Sequence, residues 1–200
     1  TGGLTGQIYR GIRGVTELVG HGLDGALATL LPLLDDPSTH PEPSPGREAV
    51  LAALNGVMGD RLLAQDNPLA QRMALRLAGQ ALPMDRPAQL HERLAGTSPH
   101  LLLLVHGLCM NDLQWRAAAG RPDLGEQLAQ ALGYTPVYLH YNTGLAIADN
   151  GRALSGKLEA LCADWPVEVR SLRLLGHSMG GLQAPQLAAR RAPAGRPAAG

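Results

Sequence analysis

Apolar residues at Ile8, Ile12, Val15, Val19, Leu23, Leu27, Leu30 and Leu34 fall in steps of three and four, which lays a single stripe along a predicted amphipathic helix. Gly11, Gly14, Gly20, Gly22 and Gly25 lie within it, and each weakens a helix by about 1 kcal/mol relative to Ala. The helix is therefore expected to hold only when packed against something, and to break near Gly20 to Gly22. Asp35 to Arg47 carries four prolines and no apolar run, the pattern of an exposed linker. Helical spacing returns from Glu48 to Gln65 through Val50, Leu51, Leu54, Val57, Met58, Leu62 and Leu63, and Asn67-Pro68 closes it. Residues 1–66 are thus predicted to form a helical N-terminal segment of two or three helices, with a Pro-rich linker at 35–47.

The period then changes. Met73, Leu75 and Leu77 alternate with Ala74 and Arg76, and a short apolar pair follows Gly79 and ends at Pro83, which predicts a hairpin. His100 to Val105 is a continuous apolar run. Asp123 to Leu132 reads as a capped helix and Pro136 to His140 as a second buried strand. Ile147 to Trp165 carries Leu154, Leu158 and Leu161 on one face, Ser171 to Leu175 is a third strand, and Met179 to Arg191 is the helix after it. Strands alternating with helices predict an α/β fold from residue 73 to 200, a mostly parallel sheet with helices on both faces.

Composition narrows the function. The formal net charge is zero and the basic residues are scattered, so no nucleic-acid footprint is present. Cys109 and Cys162 show no metal-ligand spacing and read as free thiols of a reducing compartment. Neither a metal nor an organic cofactor is expected. The longest uncharged stretch near the start, Gly25 to Leu34, is about ten residues against the roughly twenty of a membrane span. With no basic n-region visible either, a cytoplasmic location is the expectation. The glycine-weakened stripe could still contact a membrane surface or a second copy of the chain.

The chemistry is concentrated at Leu174-Leu175-Gly176-His177-Ser178-Met179-Gly180-Gly181. Gly-x-Ser-x-Gly between a strand and a helix is the setting of a hydrolase nucleophile: the sharp turn forces the serine to positive φ, and the close passage of neighbouring chain leaves no room for side chains at Gly176 and Gly180. The turn also sets Ser178 at a helix N-terminus, where free N–H groups favour an oxyanion. Acyl transfer needs two such donors. One is predicted at Met179, the other at Leu108 or Cys109 in the loop after the first long strand, with Gly107 allowing close approach and His106 shaping the loop. Tyr141 or Asn142 could line an acyl pocket or pin that loop, and Met110, Leu113 and Trp115 could form an apolar wall.

The succession of hairpin, LLLLVHGL strand, helix, strand, long helix and LRLLGHSMGG resembles the first half of the α/β hydrolase fold. VHGLCMNDLQW, YLHYNTG followed by NGRAL, and LLGHSMGG are similar to bacterial lipase and esterase proteins akin to the GPI inositol-deacylase domain. The resemblance spans about residues 73–191 and implies an acyl-enzyme on Ser178 with a small-molecule or lipid ester as substrate. In that family's order the triad acid and histidine follow the nucleophile helix, whereas Ala192 to Gly200 holds neither. The seven histidines precede Ser178 and none is assigned as its base; His177 is expected to point away from the serine hydroxyl. The chain is accordingly expected to be either the N-terminal part of a longer hydrolase or a naturally truncated one, with the Ser178 strand at a sheet edge. A catalytically silent interaction module and an acyltransferase using the same turn are the alternatives. Pro185 is expected to loosen the helix behind Ser178.

Overall fold

The computed structural model describes residues 45–115 and 123–183. The stripe from Ile8 to Leu34, the linker up to Ser44 and the chain beyond Gln183, Pro185 included, lie outside these residues.

Helix α1 spans Pro45–Ala64. It begins inside the stretch expected to be linker, because proline's fixed φ and missing N–H suit the first turn of a helix. Strands β1 (Ala74–Leu77) and β2 (Gln80–Ala81) form the predicted hairpin, with Arg76 opposite Ala81. The two turn residues, Ala78 and Gly79, have φ of 50° and 79°, the positive pair that a two-residue hairpin loop needs. Helix α2 (Pro87–Arg93) follows, unanticipated from the sequence. Strand β3 (His100–Val105) comes next, then a 3₁₀ turn at Asp112–Trp115, helix α3 (Leu124–Leu132), strand β4 (Thr135–His140), helix α4 (Ile147–Ala163) and strand β5 (Ser171–Gly176).

The sheet order is β2-β1-β4-β3-β5. Its core is parallel: β3 pairs with β4 and with β5 in that sense, and the β1–β2 hairpin adds antiparallel at one side. Among the described residues β5 pairs only with β3 and forms the other edge. Successive side chains of β3 face opposite ways. Leu101, Leu103 and Val105 pack with Leu154, Leu158 and Leu161 of α4 and with Leu90 of α2, while Leu102 and Leu104 join Tyr138 and Leu128 of α3 on the other face. The molecule is thus a mixed α/β structure with helices on both sides of the sheet.

Helix α3 begins and ends as its sequence specifies. The Asp123 carboxylate accepts from the Glu126 N–H at 2.7 Å, the Glu126 carboxylate accepts from the Asp123 N–H at 3.0 Å, and Gly133 closes the helix at φ 70°. After β5 the chain enters a 3₁₀ turn over Ser178–Gln183 instead of the α-helix expected from Met179; the remainder of that helix falls outside the described residues.

Helix α1 is tied to the loops at the carboxyl end of the sheet. Asn142 donates its side-chain amide to the Gly59 carbonyl at 2.9 Å, and the Cys109 thiol lies 3.9 Å from the Ala53 carbonyl. Helix α1 therefore braces the loops that carry the candidate chemistry.

Candidate active site

Strands β3, β4 and β5 run parallel, so their carboxyl ends open on one edge and the motifs that follow them meet there. Ser178 has φ 53°, strained for any residue but glycine. Two close approaches impose that turn. A methyl group on Gly176 would lie 2.5 Å from the Gly181 nitrogen, and one on Gly180 would lie 2.3 Å from the Val105 carbonyl oxygen. The His177 N–H donates to that same Val105 oxygen at 2.9 Å, which locks the end of β5 against the end of β3.

The loop after β3 lies directly against the serine. A Cβ built on Gly107 would sit 3.1 Å from Ser178 Cβ and 3.2 Å from the His177 carbonyl oxygen. Of the two donors foreseen in this loop, the Cys109 N–H is already engaged by the Thr143 hydroxyl at 3.1 Å. The Leu108 N–H has no partner among the described residues, and the residue is 48% exposed. Cys109 itself, at φ 56°, is buried, and burial raises its thiol pKa, which disfavours the nucleophilic thiolate.

His106 is 2% exposed. Its Nδ1–H donates to the Gly107 carbonyl at 3.1 Å, its ring packs against that of Tyr141 with centroids 4.5 Å apart and planes tilted by 34°, and the Tyr141 hydroxyl donates to the His106 carbonyl at 2.9 Å. Tyr141 therefore pins the loop from below, fully buried, and burial pushes its own hydroxyl pKa up. Asn142 has a different place from the pocket foreseen for it. Its amide holds Gly59 of α1, its side-chain oxygen accepts from the Gly144 N–H, and its carbonyl accepts from Asn150, so it is spent on scaffolding. Trp115 does border an apolar cavity of about 170 Å³, with Met110, His106 and His177, and also packs on the Leu102–Tyr138 cluster.

A buried charge cluster beneath the loop escaped the sequence reading. Asp112 accepts from Arg76 of β1 at 2.9 and 3.2 Å and from His140 Nδ1 of β4 at 3.0 Å. Burial raises the Asp112 pKa, but the His140 hydrogen bond and the Arg76 charge outweigh it and hold the carboxyl below its usual range. The only forewarning was an acid within VHGLCMNDLQW. Among the described residues no imidazole or carboxylate hydrogen-bonds to Ser178, and no group of three His, Cys, Asp or Glu is arranged to hold a metal ion. Nor is any described helix long and apolar enough to cross a membrane.

No family model matches the chain, and neither a curated protein nor a solved structure matches it. The fold and this edge define a mixed α/β protein with a strained serine turn set against a glycine loop.

Burial lowers the His106 pKa to about 4 from 6.5; His140 and Arg76 push it the same way, and the Gly107 carbonyl and Asp112 oppose. Between those values the unfolded chain binds a proton that the folded chain refuses, so stability from this residue is complete above pH 6.5 and is lost as pH falls toward 4. The difference is on the order of 3 kcal/mol. Urea unfolding at pH 7 and at pH 4.5 should reveal most of it, and His106→Gln should flatten the dependence. An unchanged slope in the variant would assign the pH response elsewhere.

Proposed function

We propose that this chain carries the nucleophile of a serine ester hydrolase of α/β hydrolase type, acting through an acyl-enzyme on Ser178. The observation that carries the reading is the positive φ of Ser178 at the end of β5, with the Gly107 loop against its Cβ. The serine Oγ attacks the ester carbonyl, and the Met179 and Leu108 N–H groups receive the developing oxyanion. Gly176 and Gly180 permit the turn, Gly107 permits the loop's approach, and His106 and Tyr141 hold the loop. The substrate is a small-molecule or lipid ester, in keeping with the resemblance to the GPI inositol-deacylase type of lipase and esterase. The mechanism calls for an imidazole base and a carboxylate that the described residues do not bring to Ser178.

A fluorophosphonate reagent tests this reading, since it reacts with an activated serine and not with an idle one. Mass spectrometry of the labelled protein should place the adduct on Ser178, and Ser178→Ala, which removes the attacking hydroxyl, should abolish it. Equal labelling of the native chain, the heat-denatured chain and the variant would dismiss the reading. It would favour instead a binding module that retains the turn without catalysis, a reading in keeping with the absence of an imidazole partner for Ser178 among the described residues.

A further inference from the structure

Tyr134, Tyr138 and Tyr141 lie among the described residues, and their hydroxyls meet different chemistry. Tyr138 donates to the Asp123 carboxylate at 2.6 Å and Tyr141 donates to the His106 carbonyl at 2.9 Å; both are buried, and these partners favour the protonated phenol. Tyr134, just before β4, is the reverse. Its oxygen accepts from Arg173 Nε–H of β5 at 2.6 Å and from the Ser171 hydroxyl at 3.4 Å. His100 Nδ1 lies 2.8 Å from Ser171 Oγ, and the His100 ring packs beside that of Tyr134 with centroids 5.4 Å apart. His100 and Ser171 are paired first residues of β3 and β5, so the cluster sits at the amino end of the parallel strands, opposite the edge that carries Ser178.

A hydrogen bond from a guanidinium favours the phenolate over the phenol. The Ser171 and Arg173 bonds accordingly hold the Tyr134 hydroxyl below the usual phenol range, the Arg173 charge acting with them and desolvation against. Tyr134 is only half-buried and Arg173 is exposed, so a reagent can reach the oxygen. A guanidinium carries its Nε–H and one Nη–H side by side on one edge. Arg173 spends the first on Tyr134, and among the described residues no carboxylate pairs with it, so the second lies ready for an oxygen of whatever bonds to the phenol. We infer that Tyr134 is a second nucleophile of this chain, a modification site that takes a phosphoryl-type group from a donor with a good leaving group, Arg173 holding the oxygens of the transferred group. The phenol oxygen bonds to phosphorus, the leaving group departs with its electron pair, and the phenol proton passes to water. None of this depends on Ser178.

A fluorophosphonate supplies such a phosphorus centre, with fluoride as the leaving group. It is applied to the full chain carrying Ser178→Ala, with N-acetyltyrosinamide in the same solution as the ordinary phenol, and the adducts are mapped by mass spectrometry. Tyr134 should react about fivefold or more faster than the free amide, and Tyr138 and Tyr141 more slowly than it. Arg173→Gln should return Tyr134 to the rate of the free amide, and Arg173→Lys, which keeps the charge without the fork, should fall between. Thermal unfolding checks that both variants fold, and Tyr134→Phe should remove that adduct alone. A Tyr134 rate no greater than that of the free amide, or one that folded Arg173→Gln leaves unchanged, would overturn the inference. Mapping both adducts in the parent chain separates the two readings: modification of Tyr134 without Ser178 keeps this site and removes the serine mechanism, and modification of Ser178 without Tyr134 does the opposite.

Discussion

Asp112→Ala is expected to lose about 3–5 kcal/mol of unfolding free energy, the range found when one member of a buried ion pair is removed. Asp112 is 4% exposed and is the shared acceptor of Arg76 and His140. Without it the Arg76 guanidinium, its side chain only 16% exposed, keeps its desolvation cost and loses its counter-charge. The cluster joins β1, β4 and the 3₁₀ turn behind the Gly107 loop, so the damage should also reach the site: fluorophosphonate labelling at Ser178 should fall in molecules that remain folded. Asp112→Asn preserves the shape and should be milder in packing but still unable to neutralise Arg76. Asp85→Ala is the surface comparison, since its carboxylate is 80% exposed and only 3.7 Å from Arg86 Nε; a change within about 0.5 kcal/mol is expected there. Urea unfolding of the three variants decides the matter. An Asp112→Ala chain as stable as the parent would mean that water reaches the cluster and replaces the carboxylate.

Gly180→Ala should be comparably damaging, at about 3 kcal/mol or more, for a reason that is purely steric. Its new methyl would meet the Val105 and His106 carbonyl oxygens at 2.3 and 2.6 Å. Neither oxygen can yield easily. Val105 accepts from the His177 N–H, and the His106 carbonyl accepts from the buried Tyr141 hydroxyl. Relief therefore requires the serine turn to draw away from β3, which would also separate Ser178 from the Gly107 loop. The neighbouring Gly181 supplies the control, because among the described residues a methyl there would find its nearest atom, the Gly176 carbonyl oxygen, at an ordinary 3.9 Å. Thermal unfolding should separate the two substitutions clearly, and equal midpoints would show that the close approach of turn and strand is looser than these distances state.

Features legible in the sequence were those whose cause is local. The Asp123 and Glu126 pair writes a capping box within four residues, and Gly133 writes its end. Ala78-Gly79 writes the hairpin turn, and the unbroken run at His100–Val105 writes a strand buried on both faces. The strained φ of Ser178 was legible too, because Gly-x-Ser-x-Gly between a strand and a turn leaves the chain few other conformations. Helix α2 was not legible: seven residues with one buried anchor, Leu90, are too short to show a period, and the pocket formed by distant parts of the core stabilises it.

What the tertiary structure alone decided depends on contacts between residues far apart in sequence. Asp112 meets Arg76 across 36 positions and His140 across 28, and only the antiparallel register of β1 on β4 brings all three together. Asn142 and Tyr141 are adjacent and looked equivalent as pocket or loop residues. The strand's alternation sends one under His106 and the loop after it carries the other to Gly59, 83 positions away. That the Cys109 N–H is occupied was likewise decided by Thr143, a partner 34 residues downstream. Sequence patterns specify backbone conformation through sterics and periodicity within a few residues, whereas pairing of buried polar groups depends on strand register and on which loop covers which, and these exist only once the sheet has formed.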